Sequence, residues 1–448
     1  MSQFEYRPSM FNYFYYRKDD VILYNSYKGV SSILLLDKSS RAMKWFCEPD
    51  TICQEDPLFL ELRDNNYFVE KRCNEKLQRN YRMIERMQDS SLDLVIHTTK
   101  NCNFRCKYCS LNFESSNMSS EIQNDIVSFI RYNINKYSSV NLSWFGGEPL
   151  MAIDVIENIS EQVKEICTRA KKPFTANVTT NGYLMSLDNV KKLLEHNVFH
   201  YAVTIDGIGE YHDKHRCLSS GAPTFDRIIA NLIDIKNNIK SRGLSITIRS
   251  NVTANMLNKV EEYYRFYDKN FGDDIRFSLF IRPVCDWGGD RIGNFHETLI
   301  NEKNTSVTMA HFYNEIAKIP GNIVFKNNFY DLEFGGIACT AQCKNKFTIG
   351  INGEISKCDD SNEGVNIGQL KNGQMILDEV KSISWLMSSL QDVDNVCDNC
   401  NLSCICFMMT ECPYSKYLGK RKKCSINRKE IDALLDLYIR TYDIKSIQ

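Results

Sequence analysis

Three closely spaced cysteines constrain the fold of this chain more than any other feature. Cys102, Cys106 and Cys109 lie in the run TTKNCNFRCKYCSLNF, separated by three and then two residues. Three thiolates can hold a cubane 4Fe-4S cluster by three of its four irons and leave one iron open, whereas an electron-carrying cluster normally takes four cysteines. Zinc is also bound by thiolates at short spacings, so the triplet alone allows a zinc knuckle.

The residues around the triplet favour the cluster. LDLVIHTT, residues 92–99, is an apolar and β-branched run that predicts a strand, so the cysteine loop leaves a strand end. The next predicted strand, VNLSWF, runs into Gly146, Gly147, Glu148 and Pro149. A glycine pair at a strand end is by itself an ordinary turn. One strand-helix unit after the cysteines, however, it resembles an element of the radical S-adenosylmethionine (SAM) superfamily.

This resemblance implies a specific use of the open iron. In the superfamily that iron binds the amino and carboxylate groups of SAM, and the Gly-Gly-Glu-Pro backbone, here Gly146, Gly147 and Glu148, meets the SAM amino group. Reduction of SAM releases methionine and a 5'-deoxyadenosyl radical, which takes hydrogen from an unactivated carbon, so the difficult chemistry belongs to the cofactor.

The amino-acid composition limits the number of domains, the kinds of partner and the cellular location that we expect. The 448 residues predict about two or three domains. Because 55 basic and 56 acidic side chains nearly cancel, charge gives no argument for nucleic acid or for a membrane surface. No apolar run approaches the ~20 residues of a membrane span, and the first residues lack a signal peptide. We therefore expect a cytoplasmic location, where thiols stay reduced. The abundance of cysteine, 18 in all, then indicates metal or cluster ligation rather than disulfides.

From Leu92 onward, predicted strands alternate with amphipathic helices, which is typical of parallel βα units. The predicted strands lie near residues 92–98, 140–145, 174–179, 199–205, 245–253 and 275–281. They predict an α/β fold with a partial (β/α)6 TIM-like radical SAM barrel. In such a barrel, site residues lie at the carboxyl ends of the strands.

Two further strand ends carry candidates for SAM binding. TTNG follows the third strand and TIDG closes the fourth, and each by itself is an ordinary turn. In this order they are similar to radical SAM peptide-modifying enzymes, which implies polar SAM contacts from Thr180 and Thr204, a ribose contact from Asp206 and a carboxylate partner in Arg216. Tyr108 holds the position that packs near the adenine, or it is simply core of the loop. The weaker candidates are Arg249 and Asn251.

The cysteine-rich tail resembles a SPASM domain. Cys343, Gly353 and Cys358 are separated by nine and four residues, and further cysteines follow a C-x2-C pair. The resemblance implies two auxiliary 4Fe-4S clusters, hence three clusters in all, with ligands Cys339, Cys343, Cys358 and Cys412 for the first and Cys397, Cys400, Cys406 and Cys424 for the second. Thr410 stands where the family has its next cysteine, and Cys404 is an additional thiol. The assignment of Cys404, Cys406 and Cys412 therefore stays open, and zinc is the competing occupant of the tail.

Residues 1–90 predict a β-hairpin turning at Arg17 to Asp20, a third strand at Val30 to Leu36, and helices. This order resembles the peptide-recognition element of maturases that act on ribosomally made peptides, an element that adds a leader peptide as a strand to a sheet edge. A small packing domain without a partner is the alternative. The expected organisation is an α+β recognition-like domain (1–90), a barrel (91–290), a connecting segment (291–338) and a SPASM domain (339–448).

The resemblance implies a radical SAM maturase that takes hydrogen from a residue carbon of a precursor peptide. A thioether crosslink is the first expectation for the product, and a carbon-carbon bond or an epimerisation is the alternative outcome. A low-potential electron donor such as flavodoxin or ferredoxin would serve it. The alternatives are a sulfatase-maturing formylglycine former and a non-catalytic iron-sulfur carrier or zinc adaptor. The substrate-side acid or base is not identified, although the loop after the sixth strand offers Arg282, Cys285 and Asp286.

Overall fold

The computed structural model describes residues 5–284, 299, 308–319, 328–359, 365–386, 395–407, 424 and 426–447. The strands are β1 Tyr6–Pro8, β2 Asn12–Tyr16, β3 Asp20–Asn25, β4 Leu34–Asp37, β5 Phe68–Glu70, β6 Leu92–Thr99, β7 Val140–Gly146, β8 Phe174–Thr180, β9 Val198–Thr204, β10 Ser245–Val252, β11 Phe277–Pro283, β12 Lys346–Ile349, β13 Glu354–Ser356, β14 Gly368–Lys371, β15 Gln374–Leu377 and β16 Ser446–Ile447. The helices are α1 Arg41–Cys47, α2 Pro57–Asp64, α3 Glu75–Met87, α4 Ser120–Asn133, α5 Ile153–Ala170, α6 Leu187–Glu195, α7 Glu210–His215, α8 Phe225–Asn238, α9 Val260–Phe271, α10 Met309–Lys318, α11 Glu379–Leu386, α12 Asn395–Asp398, α13 Ser403–Cys406 and α14 Arg428–Thr441.

The chain divides into two compact units. The first comprises Met1–Met87, Ile316–Thr340 and Met387–Gln448, and the second comprises Gln88–Glu315 and Ala341–Leu386. The domain boundaries expected from the sequence stay predictions. They follow the domains of a family, whereas these two units are sets of residues that contact one another in the structure.

The second unit is built on a sheet in the order β11-β10-β9-β8-β7-β6-β12-β13-β14-β15. The strands β6 to β11 are parallel, and each pairs with its neighbour in the chain. This is the order of successive βα units, and the predicted α/β fold with a central parallel sheet is confirmed. The strand β12 adds to β6 in parallel, and β13, β14 and β15 continue the sheet with antiparallel pairs.

The two faces of this sheet differ in polarity. In β7, Val140, Leu142 and Trp144 alternate toward one face and are fully buried. The opposite face carries polar side chains that bond across the strands. Asn141 donates to Asp93 over 2.6 Å and accepts from Thr175 over 2.7 Å, and Asn177 donates to Ser143 over 2.8 Å. The alternation therefore separates an apolar core face from a polar face.

The first unit contains a four-stranded sheet in the order β16-β4-β3-β2 and a separate β1-β5 pair. The predicted hairpin is present, because β2 and β3 pair antiparallel from Asn12↔Asn25 to Tyr16↔Val21. A core of apolar side chains from β3, β4, α1, α2 and β16 packs on this sheet. Among the described helices, none combines the length and apolar character needed to cross a bilayer.

Candidate active site

The three-cysteine loop begins where β6 ends, at the carboxyl edge of the parallel strands. Cys102 and Cys106 are each 8% exposed, and Cys109 is half-buried. The backbone N–H of Phe104 donates to the Cys102 Sγ over 3.4 Å. Burial raises the pKa of the Cys102 thiol to about 11 and that of Cys106 to about 12. Both side chains therefore need a positively charged partner to be thiolates at neutral pH.

Two glycines bring the next strand end against this loop. Gly147 N donates to Thr99 O and Glu148 N donates to Asn101 O, each over 2.9 Å. A Cβ on Gly147 would lie 2.1 Å from Asn101 O, and Gly146 has φ +120°, in the region that favours glycine. The Gly146-Gly147 pair is thus required by a backbone-to-backbone contact, which a turn signal alone would not demand.

We expect Gly147→Ala to displace the cysteine loop, because the added methyl group collides with a backbone carbonyl rather than with a flexible side chain. Anaerobically reconstituted Gly147→Ala protein should lose the iron-sulfur absorbance contributed by this loop. It should also lose more than ~1 kcal/mol of unfolding free energy. Gly243→Ala is the matched control, since its Cβ would lie 3.6 Å from the nearest side-chain atom. Equal iron content in both variants would contradict the steric argument.

Glu148 directly follows these glycines in the chain, and its side chain is 1% exposed. Its carboxylate accepts from Thr180 Oγ1 over 2.7 Å, from Asn181 N over 2.7 Å and from Leu150 N over 3.1 Å. Burial raises the pKa of this carboxyl above its ordinary value, and the three hydrogen bonds oppose that shift. Because an ionised carboxylate has about four acceptor positions, the three donors among the described residues leave one position for a further donor.

A second buried polar cluster links the cysteine loop to the ends of β9 and β10. The Tyr108 hydroxyl donates to Asp206 Oδ2 and accepts from Arg216 over 2.7 Å and from Asn251 Nδ2 over 3.1 Å. Asn251 N donates to Asp206 Oδ1 over 2.8 Å, and the Arg216 and Asp206 charges are 3.7 Å apart. Burial raises the pKa of the Asp206 carboxyl above its ordinary value, and the Arg216 charge opposes that shift.

The sequence-predicted residues are thus brought together at one edge, with differences in detail. Thr180 contacts Glu148, whereas Thr204 is buried at the end of β9 and is paired in register with Arg249. Asn251, a weak candidate by sequence, bonds both Tyr108 and Asp206, and no local pattern marks that role. His212 is fully buried and accepts from Asp206 N through Nδ1 over 3.2 Å, as expected of a packing residue.

The donor set fits an iron-sulfur cluster held by three thiolates. A cubane is bound at three separate irons, so its ligands need not converge on one point. Among the described ranges, no three His, Cys, Asp or Glu side chains are placed to hold a single metal ion. The Arg216 charge lowers the pKa of Cys106 against the effect of burial. The buried Arg216 Nε has no hydrogen-bond partner among the described residues, which leaves a donor for an anionic ligand.

The tail cysteines are distributed over both units. Cys343 and Cys358 belong to the second unit, and Cys339, Cys397, Cys400, Cys404, Cys406 and Cys424 belong to the first. Cys404 is fully buried in an apolar cluster with Phe11, Met83, Phe334 and Phe407. Cys412, Cys285 and Asp286 lie outside the described residues. The ligand assignments for two auxiliary clusters therefore stay predictions.

Lys357 lies between two of these predicted ligands and is 1% exposed. Its Nζ donates to the backbone carbonyls of Cys343 (2.7 Å), Lys344 (3.1 Å) and Lys346 (2.7 Å). Burial lowers the pKa of this amine to about 7. One buried side chain thus joins the turn that carries Cys343 to the segment after β13 that carries Cys358.

Lys357→Met should remove the side-chain donor that these three carbonyls share. We expect a loss of ~1–3 kcal/mol in unfolding free energy, the range for buried polar groups left unsatisfied. Urea denaturation followed by circular dichroism measures it. Lys344→Met, at an exposed position of the same turn, is the control and should change stability by less than ~0.5 kcal/mol. Similar losses in both variants would contradict the role of Lys357.

Comparisons with known proteins found similar sequences and similar folds. Residues 96–263 match the Radical SAM superfamily. The chain is 30% identical over 204 residues to the cysteine-type anaerobic sulfatase-maturating enzyme of Clostridium novyi, covering 44% of this chain and 52% of that protein. It is 25% identical over 167 residues to the Fe-coproporphyrin III synthase of Methanosarcina barkeri, covering 37% and 38%. The chain thus spans about half the length, or less, of these curated relatives.

Among solved structures, the fold is similar to anSMEcpe with bound AdoMet and Cp18Cys peptide, with a TM-score of 0.58 and 17% identity over 78% of this chain and 96% of that one.

Proposed function

We propose that this chain, which carries a radical SAM domain over residues 96–263, is a SAM-cleaving enzyme that modifies a peptide. One observation carries the proposal. The three-cysteine loop, the Glu148 carboxylate and a buried polar cluster all lie at the carboxyl ends of the parallel strands. The cluster consists of Tyr108, Asp206, Arg216 and Asn251. A purely electron-carrying or zinc-binding protein has no need of such a polar arrangement beside its thiolates.

Each group at this edge has a proposed role. Cys102, Cys106 and Cys109 would hold a 4Fe-4S cluster, which when bound supplies the electron that cleaves SAM to methionine and a 5'-deoxyadenosyl radical. The vacant acceptor position of Glu148 suits the SAM ammonium. The Arg216 Nε, which has no hydrogen-bond partner in the described part of the chain, suits the SAM carboxylate, because guanidinium and carboxylate form strong charge-assisted hydrogen bonds. Asp206 would accept from a ribose hydroxyl, with Tyr108 and Asn251 fixing its orientation.

The substrate class is supported by the relatives. The Clostridium novyi relative is named for maturing sulfatases, and anSMEcpe binds a peptide in the structure to which this fold is similar. The substrate proposed here is a peptide whose residue carbon loses hydrogen to the radical. A thioether to a substrate cysteine is the first candidate product. When the carbon radical and the cysteine sulfur form the C–S bond, the thiol gives up its proton, and the auxiliary clusters, when bound, would accept the one surplus electron.

The second candidate is oxidation of a cysteine to formylglycine, favoured by the name and the 30% identity of the Clostridium novyi relative. Mass spectrometry of a reacted cysteine-bearing peptide separates the two products. A thioether retains the sulfur and lacks two hydrogens, whereas formylglycine has lost the sulfur and reacts with hydrazines.

Anaerobic reconstitution followed by reduction in the presence of SAM tests the enzymatic proposal. We expect 5'-deoxyadenosine and methionine in equal amounts. A protein that is fully loaded with iron and sulfide, yet leaves SAM intact under strong reductant, would be a carrier or scaffold instead.

A further inference from the structure

The cysteine loop is one half of a two-stranded ribbon. The other half is the segment 215–219, which begins at the last residue of α7. Three backbone hydrogen bonds join the two halves: Ser219 N donates to Asn103 O over 2.8 Å, Arg105 N to Cys217 O over 2.9 Å and Lys107 N to His215 O over 3.1 Å. Phe104 and Leu218 form an antiparallel bridge in the same register. The paired backbone is extended, so successive side chains point to opposite faces.

The two faces of this ribbon have opposite character. One face carries Phe104 and Cys106, which are 0% and 8% exposed. The other face carries Arg105 and Lys107, and both of these side chains are exposed. Since Cys106 is a proposed ligand of the cluster, the two cations lie on the solvent side of that ligand and are its direct neighbours in the chain.

A third cation lies beside this exposed face. Lys214, the residue before His215 in α7, is also exposed. Burial, and then the charges of Lys107 and Lys214, lower the pKa of the His215 ring to about 4, so both ammonium groups act on the same ring. The exposed cations form one surface, the cationic face, which consists of Arg105, Lys107 and Lys214.

The charges of the cationic face are not neutralised by ion pairs. Among the described residues, none of its three cations pairs with a carboxylate, whereas Lys100 in the same loop pairs with Glu114 over 3.4 Å. Arg105 is fixed by its own loop, since its Nη1 donates to Cys102 O over 2.6 Å and to Phe104 O over 2.7 Å. The face therefore offers one fixed cation and two lysines that can adjust to a partner.

We propose that the cationic face is the docking surface for a small acidic redox protein, which delivers the electron to the cluster. Exposed cations without carboxylate partners attract an anionic surface and raise the rate of association. Because the face adjoins Cys106, a donor bound there brings its own cofactor close to the cluster, and electron transfer slows steeply with distance. The reduced cofactor of the donor loses one electron and the cluster gains it, and no bond is broken. The inference rests on the proposed function for the presence of the cluster.

The buried face of the ribbon leads to the groups proposed for SAM. Tyr108 follows Lys107 in the chain, and its hydroxyl group is bonded to Asp206 and Arg216. The donor and SAM would therefore approach the cluster from different sides. Both can be bound at the same time, so SAM should not compete with the donor.

Direct binding tests the surface. A bacterial flavodoxin and a bacterial ferredoxin, both small acidic proteins, are oxidised, labelled with a fluorophore and titrated by anisotropy into the reconstituted full chain. At least one should bind saturably at low ionic strength, with the same affinity when SAM is saturating. Binding should weaken at least ~10-fold in ~1 M salt, where the Debye length is ~3 Å.

Charge reversal locates the binding surface. Lys107→Glu combined with Lys214→Glu should weaken binding at least ~10-fold at low ionic strength, because two attractive charges become repulsive. The matched control is Lys191→Glu combined with Lys192→Glu, at exposed positions of α6, which should bind as the unaltered chain does. If iron content shows that Lys107→Glu disturbs the cysteine loop, Lys214→Glu alone replaces the pair and should weaken binding at least ~3-fold.

Two reductants separate docking from a change in the cluster itself. The rate of 5'-deoxyadenosine formation is measured with the reduced acidic protein and with reduced methyl viologen, a small cation. In the variant with both Lys107→Glu and Lys214→Glu, the first rate divided by the second should fall at least ~10-fold. A shift in cluster potential or a partial loss of cluster would slow both reductants and leave that ratio constant.

Three outcomes would overturn the proposal: no binding of either redox protein to the unaltered chain, equal affinities of the two double variants, or a constant ratio of the two rates. The binding titrations do not depend on SAM cleavage. A chain that binds the donor through these lysines yet leaves SAM intact contradicts only the enzymatic proposal. A chain that cleaves SAM with methyl viologen and shows no effect of these lysines contradicts only the docking surface.

Discussion

Replacing Cys106 with alanine is expected to eliminate SAM cleavage, with no 5'-deoxyadenosine above the level seen without reductant. The physical reason is that three thiolates are the minimum that holds a cubane while leaving one iron open. Two remaining thiolates in a loop bonded to its surroundings through backbone groups would not retain the cluster. Cys102→Ala and Cys109→Ala should behave in the same way. Product is measured by chromatography after anaerobic incubation with SAM and a strong reductant.

The measured iron content distinguishes a variant that has lost one cluster from a variant that has lost its fold. The unaltered chain should bind roughly twelve irons, and each of these variants should keep roughly eight, if three cubanes are present and the tail's ligands are independent of the loop. Cys47→Ala, at an exposed position on α1, is the matched control and should keep both iron and activity. A Cys106→Ala protein that still cleaves SAM would remove the loop from the proposed mechanism.

Arg216→Leu should destabilise the protein by ~3–5 kcal/mol, the cost of leaving a buried charge without its partner. Arg216 and Asp206 have side-chain exposures of 8% and 2%, so water cannot replace the lost guanidinium. Urea denaturation measures the difference. Arg169→Leu is the control, because Arg169 pairs with Glu165 at the surface with 82% exposure, and such pairs contribute less than ~1 kcal/mol.

The double variant Asp206→Asn with Arg216→Leu distinguishes charge pairing from simple packing. Removing the acidic charge should restore part of the stability lost in Arg216→Leu, giving a coupling energy between the two sites. The double variant should nevertheless bind SAM poorly, since the donor for an anionic group is gone. Strictly additive losses would mean that the two charges do not stabilise each other.

Much of the second unit could be predicted because its signals are local. Strands such as VNLSWF alternate in polarity, and helices such as α5 repeat apolar residues at three and four positions, so each element is specified by its own residues. Parallel order then follows from the alternation of strands and helices. The three-cysteine loop could likewise be predicted, because metal-ligand spacing is a pattern of neighbouring residues. The contact that requires Gly147 joins it to Asn101, and only the family resemblance pointed to it.

The contacts that could not be predicted join distant parts of the chain. Asn251 reaches Tyr108 across many intervening residues, and an asparagine at a strand end has no spacing that reveals such a partner. The pairing of Ser446–Ile447 with β4 has no local signal either, because two residues cannot show a period. The addition of β12 to β6 depends on packing between segments far apart in sequence. Each of these contacts depends on tertiary packing, which local secondary-structure propensity does not specify.

The backbone contact between Gly147 and the cysteine loop ties the thiol-bearing segment to the strand end that carries Glu148. Since Thr99 and Asn101 accept hydrogen bonds from Gly147 and Glu148, a shift of either segment moves the other. Substitutions that displace the loop are therefore expected to displace the Glu148 carboxylate as well, so that the two parts of the site are lost together.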